Sequence, residues 1–298
     1  MVRHHMHSMK IGLIGTGLLG NAVGMHLVKS GHELWAFNRT KSKTAELERN
    51  GANIVDSAKD VSERADIVFV AVKNADSVRK VSFGESCISC GSHDGLVVAD
   101  MSTINPHDAK DIAKKFQEKN ITYLGTPVMG GPNVAIDGKL VMMVDGDKLA
   151  YEKYLPIFNT VASSVFYLGP NGIAHAVKLS MNLQIAMLAL ALSEGIMLAR
   201  GSSVDPEVFL QILNSTYFKT GMSQTKAYKM IKDSFEPTFT LRNLKKDLDT
   251  INEAAREFGI TLPMAAKANE VYQKAVESGF GDIDYTGILA YLKNIQDD

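Results

Sequence analysis

The sequence has few cysteines and almost no net charge. Two cysteines, Cys87 and Cys90, are too few for a disulfide framework and favour a reducing, cytoplasmic location. The 32 basic and 33 acidic residues nearly cancel, and no basic run exceeds two residues, which argues against nucleic acid as a partner. No apolar run approaches the roughly 20 residues of a membrane-spanning helix, so we expect no membrane partner.

Apolar residues occur in the proportion typical of folded proteins. They make up 45% of the 298 residues, which is enough to build the cores of two domains. Residues 1–8 contain His4, His5 and His7 but no apolar signal segment. We interpret residues 1–8 as a tag or leader and expect the fold to begin near Met9.

Short apolar runs alternate with helical patterns over residues 9–170, which predicts an α/β domain of Rossmann type with a parallel sheet. The helical patterns include Leu18–Ser30 and Lys41–Asn50. The predicted strands are Lys10–Gly15, Glu33–Phe37, Ile67–Val72, Leu96–Ala99, Ile121–Leu124, Leu140–Val144 and Val165–Leu168.

Residues 171–298 contain helical patterns alone, so we predict an all-α substrate and dimerisation domain joined to the first by a long interdomain helix. That helix covers Ile173–Arg200, and Lys178 and Glu194 make it too polar to cross a bilayer. Asp205 and Pro206 are the N-cap and first residue of another helix. Such a long apolar helix commonly packs against a second copy, so we expect a homodimer or homotetramer. A further helical stripe consists of Leu241, Leu244, Leu248, Ile251, Ala255 and Phe258.

A glycine-rich segment directly follows the first strand and opens the first helix. It consists of Gly15, Thr16, Gly17, Leu18, Leu19 and Gly20. In a Rossmann site the first glycine permits a tight turn, the second admits a pyrophosphate, and the third allows helix and strand to pack closely. The sequence therefore predicts a dinucleotide site in which the helix N-terminus binds phosphate.

The end of the second strand carries no acidic residue for the ribose 2′-hydroxyl that an NAD site binds. Instead, Arg39 offers a cationic fork, and Asn38 and Thr40 offer hydrogen bonds, which suit a 2′-phosphate. We predict NADP(H) as the cofactor. The alternative is that Arg39 is a solvated residue at a strand end.

Five motifs in this order and spacing resemble those of the β-hydroxyacid dehydrogenases over nearly the whole chain from Lys10. This family includes 3-hydroxyisobutyrate dehydrogenase, tartronate semialdehyde reductase and the glyoxylate/succinic semialdehyde reductases, with 6-phosphogluconate dehydrogenase as a larger relative. The motifs are the glycine-rich segment, Asp100–Pro106, Gly125–Pro132, the spaced residues Gly169, Lys178 and Asn182, and Lys246-Asp247-Leu248.

The resemblance implies a role for each matching residue. Lys178 would be the acid/base and Asn182 a substrate ligand, while the N–H groups of Gly130 and Gly131 would hold a substrate carboxylate. Ser102 and Thr103 would lie beside the nicotinamide. The resemblance further implies a cofactor set that includes Val72, Lys73, Thr103, Phe239 and Lys246, and a substrate set that includes Ser102, Thr103, Met129 and Asp247.

The chemistry of Lys178 agrees with this assignment. Hydride transfer to a carbonyl requires a proton donor at the oxygen, and a partly desolvated ammonium can serve. Lys178 and Asn182 are four residues apart, so they share one face of a helix. The alternatives are that Lys178 is an ordinary solvated lysine and that Lys246 and Asp247 form a solvated pair.

Two positions depart from the family pattern. Met129 stands where the family usually has a serine before the paired glycines, and a thioether cannot donate a hydrogen bond to substrate. Met181 precedes Asn182 where the family often has two asparagines, an arrangement similar to the glyoxylate/succinic semialdehyde reductases.

Four other chemically active residues receive weaker predictions. His175 could face the side of Lys178 and tune its pKa, but we favour a histidine on the helix surface. Cys87, Cys90 and His93 resemble part of a zinc or redox motif, but they lack a fourth ligand. We therefore predict no metal site.

Together these features predict an NADP(H)-dependent oxidoreductase of a small carboxylate substrate. It would interconvert a short aldehyde or keto acid, such as glyoxylate or succinic or tartronate semialdehyde, with its hydroxy acid. One alternative is a dehydrogenase of the same fold that acts on 3-hydroxyisobutyrate, serine or a sugar acid. Another is an imine reductase, although that related group generally lacks the lysine. A third is a cofactor-binding scaffold without turnover, which Lys178 and Asn182 argue against.

Overall fold

The structure is a computed structural model that describes residues 9–296, so the tag or leader assigned to residues 1–8 lies outside the described residues. The chain divides between Lys178 and Leu179 into two compact units. We call residues 9–178 the first unit and residues 179–296 the second unit. The division falls inside a helix that begins at Ile173, a few residues after the expected boundary at residue 170.

A parallel sheet of six strands is the centre of the first unit, as predicted. Its order is β3-β2-β1-β4-β5-β6, so β1 and β4 are neighbours at the point where the strand order reverses. Ligands of such sheets bind beyond the carboxyl ends of the strands at this point. The strands are β1 (Lys10–Ile14), β2 (Glu33–Phe37), β3 (Asn53–Ile54), β4 (Ile67–Val70), β5 (Val97–Asp100) and β6 (Thr122–Gly125).

The last two predicted strands form, but they do not join this sheet. They are β8 (Leu140–Val144) and β9 (Ala162–Tyr167), which belong with β7 (Val128–Met129) to a separate sheet of three strands. In that sheet β7 runs antiparallel to β8, while β9 is parallel to it. A pattern of apolar residues indicates extended backbone but does not specify the neighbouring strand.

Helices cover both faces of the parallel sheet. In β4, Ile67 and Phe69 pack into one apolar cluster, and Val68 and Val70 pack into the other, because successive side chains alternate between faces. The helices of the first unit are α1 (Leu18–Lys29), α2 (Ala45–Arg49), α3 (Ala58–Ser62), α4 (Ala75–Phe83), α5 (Pro106–Gln117), α6 (Pro132–Ala135) and α7 (Lys148–Val161).

The described part of the second unit is built from helices without a strand, which confirms the predicted all-α region. Asp205 accepts a hydrogen bond from the Glu207 N–H at 2.8 Å, and Pro206 begins the helix, as expected of a capped N-terminus. Phe258, predicted to end the buried stripe, follows the helix and is 53% exposed. The remaining helices are α8 (Ile173–Gly201), α9 (Pro206–Ser215), α10 (Gly221–Thr225), α11 (Ala227–Ile231), α12 (Leu241–Glu257), α13 (Pro263–Ala275) and α14 (Ile288–Asn294).

Helix α8 meets the length and composition of a membrane span, so the expectation that no segment would do so is wrong. It has 29 residues and a mean hydropathy of 1.5 in its most apolar window. The core helices of water-soluble proteins also satisfy these criteria. In the second unit, Leu179, Ala186 and Ala189 of α8 pack into the same apolar cluster as residues of α12 and α13.

The two cysteines are joined to each other. Cys87 and Cys90 form a disulfide with a Cα–Cα distance of 5.1 Å. His93, the third residue of the suggested partial motif, hydrogen-bonds through Nε2 with the backbone oxygen of Ala65 at 2.9 Å. Among the described residues there is no cluster of three or more histidine, cysteine, aspartate or glutamate side chains that could hold a metal.

The single tryptophan of the chain lies in the parallel sheet. Trp35 is the central residue of β2, and its Nε1–H donates to Glu33 Oε1 at 2.9 Å. The guanidinium carbon of Arg64 lies 5.2 Å from the centre of the ring. Both of these groups, like the indole, belong to the first unit.

Candidate active site

The glycine-rich turn has the close packing that its sequence predicts. Gly15 follows β1 with φ 96°, and a Cβ there would collide with the backbone oxygen of Ala71. A Cβ on Gly20 would collide with the backbone oxygen of Gly15. At Gly17 a Cβ would meet nothing within 4 Å. The first and third glycines thus bring helix and strand together, while the second leaves open backbone at the start of α1, as a pyrophosphate site requires.

Hydrogen bonds tie this turn to the segment after β2. The N–H of Thr16 donates to Asn38 Oδ1 at 3.0 Å, and Asn38 Nδ2 donates to the Thr40 oxygen at 2.9 Å. The Thr16 hydroxyl donates to the Lys43 oxygen at 2.9 Å. Asn38 therefore uses both ends of its amide within the protein, whereas the side chains of Arg39 and Thr40 are exposed.

A cleft of about 640 Å³ lies at the carboxyl ends of β1, β2 and β4. Among the predicted cofactor residues, it brings together Gly15, Gly17, Asn38, Arg39, Thr40, Val72 and Lys73. Thr16, Leu18, Leu19 and Gly20 belong to the turn but not to the lining. Sequence reasoning missed Lys43, Asp56, Ser57, Lys80, Glu85 and Ser86, which also line it. The cations in the lining outnumber the carboxylates, so the cleft suits a polyanion. With the open backbone at Gly17, these residues fit a dinucleotide phosphate.

Ser102 connects the carboxyl ends of neighbouring strands. Its hydroxyl accepts from the Val72 N–H at 3.0 Å, and its own N–H donates to Asp100 Oδ1 at 2.9 Å. Asp100 Oδ2 accepts from the Tyr123 hydroxyl at 2.7 Å. Asp100 is fully buried, and this desolvation raises the pKa of its carboxyl to about 6. The network holds the segment that carries Ser102 and Thr103 in one position.

Lys178 reaches the segment of the paired glycines within the first unit. Its Nζ donates to the Val128 oxygen at 2.7 Å and lies 3.3 Å from Met129 Sδ. Gly130 follows with φ 121°, and Gly131 precedes the first residue of α6. The structure therefore places the proposed acid/base beside the backbone proposed to bind a carboxylate.

The start of α8 is held by the fully buried carboxylate of Asp145. Asp145 accepts from the N–H groups of Gly172 and Ala174, each at 2.8 Å, and from that of Gly125 at 3.0 Å. Asn171 Nδ2 also donates to it at 3.1 Å. Burial raises the pKa of this carboxyl, although the four donors oppose the effect. Asp145 thereby joins α8 to the end of β6.

The second unit places three of the predicted residues together. Asn182 Nδ2 donates to Asp247 Oδ2 at 2.7 Å, and Lys246 Nζ lies 3.0 Å from Asp247 Oδ1. Asn182 is buried, and its Oδ1 has no hydrogen-bond partner among the described residues. Phe239 contacts Tyr285 edge to face at a centroid distance of 6.1 Å. The amide oxygen of Asn182 is thus an oriented acceptor.

His175 is fully buried, so its assignment to the helix surface is wrong. Burial lowers the pKa of its imidazole to about 4, which leaves the ring neutral at ordinary pH. Sequence reasoning also missed Tyr123, Asp145 and the structural role of Asp100. An aspartate at the end of an apolar strand is the signal that could have identified both carboxylates.

Comparison with known proteins gives a consistent result. The NAD binding domain of 6-phosphogluconate dehydrogenase matches residues 10–169, and the NAD-binding domain of NADP-dependent 3-hydroxyisobutyrate dehydrogenase matches residues 172–292. Glyoxylate/succinic semialdehyde reductase 1 of Arabidopsis thaliana is 30% identical over 96% of this chain and 99% of its own. The 2-hydroxy-3-oxopropionate reductase of Escherichia coli is 30% identical over 96% of this chain and 97% of its own. A crystal structure of 3-hydroxyisobutyrate dehydrogenase from Salmonella typhimurium has the same fold, with a TM-score of 0.86, 24% identity, and coverage of 94% of this chain and 99% of that one.

Proposed function

Because the chain belongs to the β-hydroxyacid dehydrogenase family, an oxidoreductase family, we propose that it is an NADP(H)-dependent reductase of a short aldehyde or keto acid. Glyoxylate, succinic semialdehyde and tartronate semialdehyde are the substrates we favour. The observation that carries the proposal is the contact of Lys178 Nζ with Val128 and Met129, next to the paired glycines. The names of the two 30% identical reductases support this choice of substrates.

The protein residues would bind the carboxylate and deliver the proton. When bound, the nicotinamide supplies the hydride. The ammonium of Lys178 would donate a proton to the carbonyl oxygen, and the amine would take it back in the direction of oxidation. Because Met129 cannot donate a hydrogen bond, the backbone N–H groups of Gly130 and Gly131 would bind the carboxylate without a serine hydroxyl. Asn182, one helical turn after Lys178, would form a hydrogen bond with the substrate, as donor or as acceptor.

The choice of NADP(H) rests on charge at the end of β2. Arg39, Lys43 and Lys80 line the cleft there, and no acidic residue stands at the end of the strand to bind a 2′-hydroxyl. A 2′-phosphate would supply the anion that these cations suit.

A panel of carbonyl acids with two to six carbons, assayed with NADPH and with NADH, tests the proposal. We expect turnover of glyoxylate or a semialdehyde with NADPH in preference to NADH. Preference for oxidising 3-hydroxyisobutyrate, serine or a sugar acid would assign the same chemistry to another substrate. Absence of cofactor consumption with every compound in both directions would refute the proposal and favour the scaffold.

A further inference from the structure

His175 is a buried polar residue that has no role in the chemistry proposed above. Its side chain is inaccessible to solvent, and neither ring nitrogen makes a hydrogen bond of normal geometry. Leaving such a group without a partner in the interior costs free energy. Its location is therefore informative, because an apolar side chain would fill the same volume without that cost.

The imidazole lies between α8 and the ends of two strands. A Cβ on Gly125, the last residue of β6, would be 2.9 Å from His175 Cε1, so the ring lies directly against this backbone. The backbone of Ser102 is also near the ring, since it raises the pKa of the imidazole against the larger lowering by burial. His175 thus lies beside both the end of β6 and the segment that carries Ser102 and Thr103.

Lys178 follows His175 by three residues and therefore lies about one helical turn further along α8. We propose that His175 is a positioning residue, which sets the placement of the Lys178 ammonium relative to Ser102 by holding the start of α8 against the ends of β5 and β6. This inference rests on the proposed function only for the role given to Lys178. A displacement of about 1 Å in a catalytic group can lower a rate by about 100-fold, so a single spacer can control turnover.

The ring acts as a spacer with a neutral N–H group and not as a source of protons. Its pKa of about 4 means that little protonated imidazole is present at neutral pH. A glutamine side chain also carries N–H donors and occupies a similar volume. A leucine side chain fills the space but cannot donate.

Three variants test the proposal, and one of them is a matched control. His175→Leu removes the donor, and His175→Gln retains it. His32→Leu removes another buried histidine whose ring nitrogens also lack partners. His32 precedes β2, at the amino end of the sheet, so it is remote from the carboxyl ends where the site lies. If His175→Leu fails to fold, His175→Met provides an apolar side chain with more freedom.

We expect His175→Leu to lower kcat at least tenfold while the Kd for NADPH stays within twofold. His175→Gln should keep kcat within about threefold of the wild type, and His32→Leu within twofold. The proposal is wrong if kcat of His175→Leu stays within twofold, if His32→Leu loses as much, or if glutamine restores nothing.

A second measurement separates this proposal from the proposed function. The rate at which an acylating reagent modifies Lys178 Nζ, followed by mass spectrometry, depends on the placement of the amine and requires no substrate. We expect His175→Leu to change this rate at least threefold relative to Lys153, and His32→Leu to leave it unchanged. An unchanged rate would overturn the positioning role even if the enzyme is active. A changed rate would support it even if no compound in the panel is reduced.

Discussion

At the scale of single residues, the proposed chemistry depends on Lys178. Its contacts with the Val128 oxygen and Met129 Sδ are to uncharged atoms that cannot replace it as proton donors. Lys178→Ala should lower kcat by about 100-fold or more, the usual scale for a positioned acid, while the Kd for NADPH is nearly unchanged. Lys178→Arg should restore substrate binding better than turnover, because guanidinium has a pKa above about 12. Steady-state kinetics give kcat for each variant, and cofactor titration gives the Kd for NADPH. A kcat near that of the wild type in Lys178→Ala at every pH would mean that another group donates the proton.

Arg39 is the residue on which cofactor preference depends. If its guanidinium binds a 2′-phosphate, Arg39→Ala should weaken NADPH binding by about 2 kcal/mol, or about thirtyfold, with little effect on NADH. Arg49→Ala, which removes an exposed arginine of α2 outside the cleft lining, is the control. Equal losses for the two dinucleotides, measured by fluorescence titration, would show that Arg39 acts through structure.

Asp100 makes stability depend on pH. Burial raises its pKa from 3.8 to about 6, so the folded protein binds this proton more tightly than the unfolded chain does. This carboxyl therefore lowers the free energy of unfolding as the pH rises from about 4 to about 6, by about 1.4 kcal/mol for each pH unit at most. Asp100→Asn does not titrate, so its stability relative to the wild type should increase by up to about 3 kcal/mol over that interval. Urea unfolding at several pH values, with the exposed Asp94→Asn as control, would show a flat difference if Asp100 stays ionised throughout.

At the scale of elements, the start of α8 depends on one carboxylate. Asp145 accepts three backbone hydrogen bonds and one from Asn171, so Asp145→Ala leaves several buried donors unsatisfied. We expect a loss of roughly 3 kcal/mol or more in the free energy of unfolding. Asp147→Ala removes an exposed cap that accepts one bond from the Ala150 N–H and should cost only about 1 kcal/mol. Thermal unfolding followed by circular dichroism distinguishes the two, and equal losses would contradict the role of Asp145.

The elements with long patterns were predictable, and those defined by tertiary contacts were not. All seven predicted strands and the helix after Pro206 are present, because alternation and capping are local properties. The strands β3 and β7 have two residues each, too few for any pattern. The motifs assigned Lys178 and Met129 to one site, but they could not indicate the burial of His175, since it depends on Gly125 and Ser102, which are distant in sequence.

At the scale of the whole molecule, we propose that the chain forms at least a dimer. Met181, Leu188 and Leu198 of α8 are exposed apolar side chains, and Leu198 is 74% exposed. Burying such a surface against a second copy removes it from water. Light scattering at micromolar concentration should give at least twice the mass of the chain, and Leu198→Asp should shift the equilibrium towards monomer. Leu149→Asp, at a residue of α7 that is 76% exposed, is the control, and a monomeric wild type would contradict the proposal.

The place of Trp35 makes the two units distinguishable by spectroscopy. Because the only indole of the chain lies in β2, its emission reports on the first unit alone, while the helical ellipticity also includes the second. Unfolding curves recorded by the two signals coincide only if both units lose their structure in one cooperative transition. A protein with one such probe thus carries, without labelling, the means to measure how tightly the folding of its two units is coupled.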